Sequence, residues 1–315
     1  MEKQDQEHRP VLLRETMEAL APGAGRVIID GTFGRGGHAR AMLEVGATVW
    51  AMDRDLEAVE AGRQLEQVWG KERFQIRHAD FRDWHIWLEE KGVKGVDGLL
   101  LDLGVSSPQI DDPKRGFSYR QDGPLDMRMD RRGKLTAGDV VNHFTEEKLN
   151  MIFRNYGEER MSCAVARAVV RRRAQAPFCS TLDLATCVAS VVGRRRGELS
   201  HPAARVFQAL RIAVNHELES LEAALASVRA LLKPGGRLAV ITFHSLEDRL
   251  VKRLIQNASQ PELRRRELAM GLPNPNYFLK SIGDYAPSEE EMNINPRARS
   301  ARLRVAEKIN ENTNE

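Results

Sequence analysis

The feature that most constrains this chain is a glycine-rich turn between an apolar run and a helix-like segment. The turn, Asp30 to His38, reads Asp-Gly-Thr-Phe-Gly-Arg-Gly-Gly-His; it follows Val27–Ile29 and precedes Ala39–Leu43. Glycines let a backbone turn sharply and approach a ligand closely because they carry no Cβ. The first turn of a helix also presents unpaired N–H groups to electron-rich ligands. We therefore expect a nucleotide-like molecule to bind at this turn.

The sequence around this turn predicts an α/β fold with a doubly wound parallel sheet. Short apolar runs alternate with segments of helical period, and one of them, Val96–Leu103, is nearly continuous in apolar residues, as expected for a strand buried on both faces. Ligands of such sheets bind beyond the carboxyl ends of the strands. Four aspartates fall at or just after predicted strand ends and should therefore meet in one crevice: Asp30, Asp53, Asp80 and Asp102.

The later part of the chain predicts an interruption and then a return to the same pattern. Residues 106–134 are rich in Gly, Pro, Asp and Arg, and helical periods follow up to Val192. A long helix or helix pair over 203–232 then leads, through Lys233-Pro-Gly-Gly as a stop, to a fifth strand over 237–243. A helix over 246–256 and two strands at an antiparallel edge, 277–282 and 301–307, complete the predicted fold.

The charge of the chain is concentrated in this interrupting segment. Residues 112–205 hold 18 Lys and Arg against 11 Asp and Glu, a net charge of +7, whereas the remainder carries −4. Such a segment predicts a polyanion partner, although a solvated helical face would also account for it. Phosphates would be gripped by Arg171–Arg173, Arg194–Arg196 and Arg205.

Composition excludes several classes of protein. The three cysteines contain no C-x-x-C pair and the eight histidines form no H-x-x-x-H or H-E-x-x-H pattern, so we expect no metal site and a reducing, cytoplasmic setting. No apolar run reaches the roughly 20 residues that span a bilayer, and the polar N-terminus carries no signal-peptide core. The sequence therefore predicts a globular protein that does not span a membrane, and it leaves the oligomeric state, a homodimer included, open.

Two aspartates near the turn point to an adenosine-containing ligand. Gly34 to Ala39 reads G-x-G-x-x-A, and Asp53 ends the second predicted strand, where a carboxylate accepts both ribose hydroxyls of NAD or S-adenosylmethionine. Asp53 would otherwise be an N-terminal carboxylate of the helix from Leu56. Asp80 and Phe81 would reach the amino group and the ring of an adenine, or else form an ordinary helix cap and a core side chain.

The fourth strand leads into a segment with features of amino-group methyltransferases. Asp102 interrupts an apolar strand, and because a buried unpaired carboxylate is costly, we expect it to belong to a site. Ser107-Pro108 is similar to the first half of the Asp/Asn/Ser-Pro-Pro-aromatic loop of those enzymes, but Gln109 and Ile110 replace its second half. A target base would therefore stack elsewhere, on Phe117, Tyr119 or Phe243.

Several long blocks resemble the MraW/RsmH family of ribosomal RNA methyltransferases. The resemblance runs from about Pro10 to Ala306. The blocks are residues 30–38, Leu-Leu-Asp-Leu-Gly-Val-Ser-Ser-Pro-Gln (100–109), Arg-Gly-Phe-Ser (115–118), Asp-Gly-Pro-Leu-Asp-Met-Arg-Met (122–129), Tyr-Gly-Glu-Glu-Arg (156–160), His-Pro-Ala-Ala-Arg-Val-Phe-Gln-Ala-Leu-Arg-Ile (201–212), Ile-Thr-Phe-His-Ser-Leu-Glu-Asp-Arg (241–249) and Asn-Pro-Arg-Ala-Arg-Ser (295–300).

The resemblance implies a class I S-adenosylmethionine-dependent methyltransferase fold, Rossmann-like, over residues 1–110 and 204–315. It also implies an all-helical RNA-recognition domain inserted at 111–203. The reaction it implies is methyl transfer to N4 of a cytosine in the decoding region of small-subunit (16S) ribosomal RNA. The implied cofactor contacts are Gly36, Gly37, His38, Asp53, Phe81, Asp102 and Gln109.

The same resemblance suggests which groups act on the target amine and on RNA. Ser107 and Asp102 are the candidates for the catalytic groups at the amine. The implied RNA surface includes Arg205, Gln208, Arg211 and Asn215, while Ala204 stands where the family often has Thr, which removes a hydroxyl there. Two rival functions remain: an NAD-dependent Rossmann oxidoreductase, which leaves the Ser-Ser-Pro segment unexplained, and a non-catalytic rRNA-binding assembly factor, which needs no intact crevice.

Overall fold

The computed structural model describes residues 10–193, 201–262 and 272–310, and the chain divides into two compact units. The larger unit contains the described residues up to Gly104 and from Leu218 onward, and the second unit is Val105–Glu217. The larger unit contains the sheet, and the second unit is helical. No helix within the described residues is both long enough and apolar enough to cross a membrane.

The described residues of the larger unit form a seven-stranded sheet in the order β3-β2-β1-β4-β5-β7-β6. The first five strands are parallel to their neighbours, and β7 is antiparallel to both β5 and β6. This is the doubly wound class I methyltransferase fold that the sequence implied, with the expected antiparallel pairing at one side. The strands are β1 (Val27–Asp30), β2 (Thr48–Asp53), β3 (Phe74–His78), β4 (Val96–Asp102), β5 (Leu232–Thr242), β6 (Leu279–Tyr285) and β7 (Arg302–Lys308).

Alternate residues of the central strands enter two separate apolar cores, one on each face of the sheet. Ile29, Leu99 and Leu101 belong to one core, whereas Ile28 and Leu100 belong to the other. Helices cover these cores, which explains why the strands read as continuous apolar runs. The helices of this unit are α1 (Leu13–Leu20), α2 (Gly37–Glu44), α3 (Leu56–Trp69), α4 (Trp84–Glu90), α11 (Glu217–Leu231), α12 (Ser245–Ala258) and α13 (Glu289–Ile294).

The second unit is built from six described helices around one apolar core. Val140, Phe153, Val169 and Leu210 are fully buried in that core. The helices are α5 (Ser107–Asp111), α6 (Ala137–His143), α7 (Glu146–Asn155), α8 (Ser162–Arg173), α9 (Thr181–Val192) and α10 (Ala204–Asn215).

The limits of this helical unit differ from the predicted insertion at 111–203. The unit begins at Val105 and extends to Glu217, so it takes in α5 at one end and α10 at the other. α10 groups with the helical unit because Val206, Phe207 and Leu210 enter the same core as Phe153 of α7. A long helix or helix pair was expected over 203–232, and the chain forms a pair, with His216 in a left-handed conformation between α10 and α11.

The fifth strand begins five residues earlier than expected. Lys233-Pro-Gly-Gly does follow the end of α11 at Leu231, but these residues lie inside β5 rather than before it. The pairing of β4 with β5 shifts register between Val96 and Gly98, so the irregular strand accommodates the Pro-Gly-Gly sequence.

Candidate active site

The carboxyl ends of β1, β2 and β4 are tied to the glycine-rich turn by hydrogen bonds. The Thr32 N–H donates to Oδ1 of Asp30 at 3.1 Å, and the Asp102 N–H donates to Oγ1 of Thr32 at 2.6 Å. The Gly34 N–H donates to Oδ2 of Asp53 at 2.8 Å. Three of the four predicted aspartates therefore surround the turn, which is fixed to both neighbouring strands.

Gly36 and Gly37 have packing reasons to be glycine. Gly36 has φ of 74°, and a Cβ there would collide with the ring of Phe33. Gly37 begins α2, and a Cβ there would collide with the ring of Pro10. The sequence predicted a sharp turn and close approach by a ligand as the reasons for these glycines, and it did not indicate Phe33 or Pro10.

Asp53 is a loop-bridging carboxylate and does not cap α3. Its Oδ2 accepts from Gly34 and its Oδ1 accepts from the N–H of Asp55 at 2.8 Å. The cap of α3 is Asp55, which accepts from the N–H of Glu57 at 3.1 Å. Burial raises the pKa of Asp53 to about 6, and the two N–H donors partly offset that effect. Because a carboxylate has about four acceptor positions, Asp53 retains room for two hydroxyl groups.

The buried His38 and the half-buried Asp102 form a pair that is not an ion pair near neutral pH. Nδ1 of His38 lies 3.7 Å from Oδ2 of Asp102, too far for a hydrogen bond. Burial lowers the pKa of His38 to about 4, and burial together with the charges of Asp30 and Glu247 raises the pKa of Asp102 to about 8. Both groups are therefore largely uncharged at pH 7.

The same pair carries two polar atoms with unmet hydrogen-bonding capacity. Nε2 of His38 and Oδ1 of Asp102 are buried, and neither has a hydrogen-bond partner among the residues that the structure describes. Buried polar atoms without partners are costly and uncommon, so their presence beside the turn is evidence for a polar ligand. A positive charge close to Asp102 would stabilise its ionised form.

Two further buried acids contribute to the electrostatics of this region. Asp30 is 2% exposed, and burial together with the charge of Asp53 raises its pKa to about 7. Glu247 is equally buried and accepts from the N–H groups of Phe243 and His244 at 2.8 and 3.3 Å. From the sequence, Glu247 was predicted only to be an acidic residue in the first turn of a helix. The signal that would have found it is its position as third residue of α12 after the cap His244, where a Glu folds back onto the chain.

Asp80 is a helix cap with a paired charge, as in the capping alternative that the sequence left open. It accepts from the N–H of Arg82 at 3.0 Å and from the hydroxyl of Ser220 at 3.0 Å, and Arg54 lies 3.2 Å away. Phe81 is buried in the core, and the guanidinium of Arg54 lies 5.3 Å from its ring centre. The capping alternative therefore accounts for both residues, and Arg54 was not anticipated.

Ser107 and Gln109 lie in α5 of the helical unit, where a loop was expected. Oε1 of Gln109 accepts from the N–H of Ser106 at 3.0 Å, and Pro108 occupies the first turn of the helix. Ser followed three residues later by Gln, with Pro in between, is a helix-start pattern. The similarity of Ser107-Pro108 to the methyltransferase loop predicted a loop here, although the local pattern favours a helix start.

Most side chains predicted to contact RNA are committed to the helical unit itself. Asn215 is buried and bonds the backbone of Met127 and Met129, and Gln208 donates to the carbonyl of Tyr156 at 3.0 Å. Arg211 pairs with Glu217 at 2.8 Å. These three side chains therefore have structural roles in the helical unit, and their contact with RNA stays a prediction.

The three arginines at the end of α8 differ in whether they have partners within the helical unit. Arg172 pairs with Asp183 at 2.8 Å, and Arg173 donates to the carbonyls of Val141 and Phe144. Arg171 is exposed and, within the described ranges, makes no hydrogen bond or ion pair. Arg205 is partly engaged, with a 3.3 Å hydrogen bond to a backbone carbonyl, and Arg194–Arg196 lie outside the described residues.

The candidate aromatic side chains for base stacking are also packed within their own units. Phe117 is buried, and the ring of Tyr119 stacks on His201 with centroids 4.8 Å apart while Phe207 meets its edge. Phe243 is half-buried against Gly104, whose φ of 100° brings the chain close to the ring. These contacts do not identify which of the three rings would stack on a target base.

Comparison with known proteins gives one consistent answer. A family model described as the MraW methylase family matches residues 5–309. Proteins named Ribosomal RNA small subunit methyltransferase H are similar over nearly the whole chain. The relative from Chelativorans sp. (strain BNC1) is 48% identical over 95% of this chain and 86% of its own length. Those from Janthinobacterium sp. (strain Marseille) and Rhodospirillum centenum (strain ATCC 51521 / SW) are 46% and 50% identical, covering 97% and 96% of this chain and 96% and 92% of the relatives.

Membership follows from the extent of these matches together with the site. The family model covers residues of both units, including the glycine-rich turn, His38, Asp102 and α5. A match of this extent leaves no room for an NAD-dependent oxidoreductase that shares only the turn. The chain therefore belongs to the MraW methylase family.

Proposed function

We propose that this protein transfers the methyl group of S-adenosylmethionine to N4 of a cytosine in the decoding region of 16S ribosomal RNA. The observation that carries the proposal is the pair of His38 and Asp102 beside the glycine-rich turn, each of which has a buried polar atom with no partner among the described residues. The names of the relatives supply the substrate class, a small-subunit ribosomal RNA. The protein would act in the cytoplasm, on a small ribosomal subunit or its RNA.

The cofactor would be held by seven residues. The contacts are proposed residue by residue from the family resemblance: Gly36, Gly37, His38, Asp53, Phe81, Asp102 and Gln109. Asp53 has acceptor capacity left for ribose hydroxyls, and Phe81 would serve as an apolar wall because Arg54 covers a face of its ring. When bound, S-adenosylmethionine supplies a methyl group activated by a positively charged sulfur.

The acidic surroundings of Asp102 favour such a cation. Asp30, Asp102 and Glu247 all carry carboxyl groups. Among the described side chains, no cation pairs with Asp30, and only the largely neutral His38 lies beside Asp102. A positive charge nearby lowers the pKa of a carboxyl group, so ligand binding would ionise Asp102 and recover part of its burial cost. A neutral ligand offers no such compensation.

Ser107 and Asp102 are our candidates for the groups that act on the target amine. The nitrogen of a cytosine amino group is a poor nucleophile because its lone pair is delocalised into the ring. Oxygen acceptors on its N–H groups favour the pyramidal form and take up the charge that develops during transfer. The remaining contribution would be positioning, with the base held outside its stack and in line with the methyl group.

The proposal is tested by mapping methyl transfer with wild-type protein and Asp53→Ala. Wild-type protein should methylate unmodified small subunits or their RNA at one cytosine, as located by mass mapping. Loss of the Asp53 acceptor should weaken binding of S-adenosylhomocysteine by about tenfold or more, measured by calorimetry, because two hydroxyl contacts disappear. Glu60→Ala, on the exposed face of α3, is the matched control and should bind normally.

Three outcomes would contradict the proposal. Absence of transfer to both substrates would favour a non-catalytic rRNA-binding factor. Methylation of another base or another atom would refute the assignment of cytosine N4. Unchanged affinity of the Asp53→Ala variant would refute the ribose contact.

A further inference from the structure

The N-terminal segment Pro10–Leu12 packs directly on the glycine-rich turn. The Pro10 ring occupies the space that a side chain at Gly37 would need, and the backbone of Val11 hydrogen-bonds with His38. Leu12 is fully buried in the same apolar core as Phe33, Ala39 and Met42. This short segment therefore sets the surroundings of two proposed cofactor contacts, Gly37 and His38.

Leu12 adopts an unfavourable backbone conformation that a distant side chain holds in place. Its φ and ψ are 53° and 34°, in the left-handed region that residues with a Cβ rarely occupy. The Leu12 N–H donates to Oε1 of Glu291 at 2.7 Å, across 279 residues of sequence. The Leu12 carbonyl accepts from Thr16 in the first turn of α1. The conformation thus depends on an acceptor that the neighbouring sequence does not supply.

Glu291 is well placed to supply that acceptor. It lies in α13, where the N–H of Glu291 donates to the hydroxyl oxygen of Ser288 at 3.1 Å. This capping hydrogen bond fixes the start of the helix. α13 has no buried residue, which means that its side chains add little to either apolar core. A carboxylate that accepts from an N–H makes a stronger hydrogen bond than a neutral pair. The contact is therefore the main feature by which α13 bears on the turn.

We propose that Glu291 is a positioning residue for the cofactor site, holding Pro10–Leu12 against Gly37 and His38 through the N–H of Leu12. The inference rests on the proposed use of S-adenosylmethionine at that turn. Without the acceptor, Leu12 would relax from its left-handed conformation. Pro10 and Val11 would then withdraw from Gly37 and His38, so the pocket would be less well organised before the cofactor binds. The cost would fall on cofactor affinity rather than on the chemical step.

The test compares substitutions of Glu291 that keep or remove the acceptor. Glu291→Ala removes it, Glu291→Asp shortens it by one carbon, and Glu291→Gln keeps an oxygen in place. Glu290→Ala, on the exposed side of the same short helix, is the matched control. S-adenosylhomocysteine is the probe for calorimetry, and hydrogen exchange of the Leu12 amide reports the contact without reference to activity.

We expect a pattern that separates positioning from general damage. Alanine and aspartate should weaken binding of the probe about tenfold and raise KM for S-adenosylmethionine, with kcat at saturation within twofold of wild type. Their Leu12 amide should exchange faster. Glutamine should stay within about threefold of wild type in affinity, and its Leu12 amide should remain protected, as should that of the control.

The outcomes distinguish this inference from the proposed function. If wild-type protein binds neither S-adenosylmethionine nor the probe, the proposed function fails, while Leu12 exchange still tests the hydrogen bond. If wild-type protein binds the probe and Glu291→Ala binds it equally well, the positioning role is refuted. A glutamine variant as weak as alanine would also refute it, because charge rather than the acceptor would then be responsible.

Discussion

The carboxyl group of Asp102 is an acid that the fold keeps protonated. It ends β4, its Oδ1 has no partner within the described part of the chain, and its pKa is raised to about 8. In the unfolded chain the same group ionises near pH 4. Between those two values the unfolded state releases a proton that the folded state retains. This contribution of Asp102 therefore lowers stability progressively as the pH rises from about 4 to about 8.

The substitution Asp102→Asn should remove that loss. The free energy of unfolding of the variant, relative to wild type, should rise between pH 5 and pH 8 by more than about 1 kcal/mol. Denaturant unfolding of both proteins at the two pH values measures the difference. Glu44→Gln, an exposed substitution in α2, should show no such trend. A difference that does not change with pH would mean that Asp102 is ionised in the folded protein.

The positions of the acidic residues were predictable from the sequence, but their roles were only partly so. Asp30, Asp53 and Asp102 end parallel strands, and a sheet brings such ends together. Asp55 rather than Asp53 caps α3, and Asp80 accepts a hydrogen bond from the hydroxyl of Ser220, a residue 140 positions away. Hydrogen-bond partners of this kind come from other elements, and no local pattern indicates them.

At the scale of elements, α10 joins the helical unit through one polar side chain as well as its apolar face. Nδ2 of Asn215 donates to the carbonyls of Met127 and Arg211 at 2.8 Å, and its Oδ1 accepts from Met129 at 2.7 Å. Met127 has a φ of 58°, so the loop between these methionines is held in a conformation that it would not adopt unaided.

Replacing Asn215 with alanine should destabilise the protein by about 2–3 kcal/mol, because buried backbone groups would be left without partners. Thermal unfolding measures the loss, with Asn155→Ala at the exposed end of α7 as the control. If Asn215 instead served mainly as an RNA contact, the variant would keep its melting temperature and lose RNA affinity.

Most element types could be inferred from periodicity, while several boundaries could not. The end of β2 at Asp53, the start of α3 at Leu56 and the end of α9 at Val192 match the expected positions, because each of these elements has clear end signals. β5 runs through its Pro-Gly-Gly sequence because pairing with β4 resumes after a register shift. α5 was taken for a loop although Ser106 and Gln109 form a helix-start pattern.

At the scale of the whole molecule, the net charge predicted a polyanion partner without identifying the side chains that would meet it. In α8, neighbouring arginines have different commitments: Arg171 is exposed, whereas Arg173 satisfies two backbone carbonyls at the end of α6. A count of charges treats these residues alike. Only their hydrogen bonds distinguish a surface arginine from one that the helical core needs.

The two arginines should therefore respond oppositely to substitution. Arg171→Ala should reduce the slope of log affinity for RNA against log salt by about 0.7–0.9 per lost phosphate contact and leave the melting temperature unchanged. Arg173→Ala should lower the melting temperature, since two carbonyls lose their donor, and change the salt slope less. Binding titrations at several salt concentrations and thermal unfolding decide the matter. If instead Arg173→Ala reduced the salt slope and Arg171→Ala lowered the melting temperature, exposure would not identify the arginines that contact RNA.

The position of β7 has a consequence for how this protein is made. β7 is the last strand in the sequence, yet it lies between β5 and β6 and pairs with both. On the ribosome, β6 therefore emerges before the strand that connects it to the sheet. The sheet can be completed only once residues up to Lys308 have left the exit tunnel, so a chain that stalls upstream would present an unpaired edge at β5 to other nascent chains.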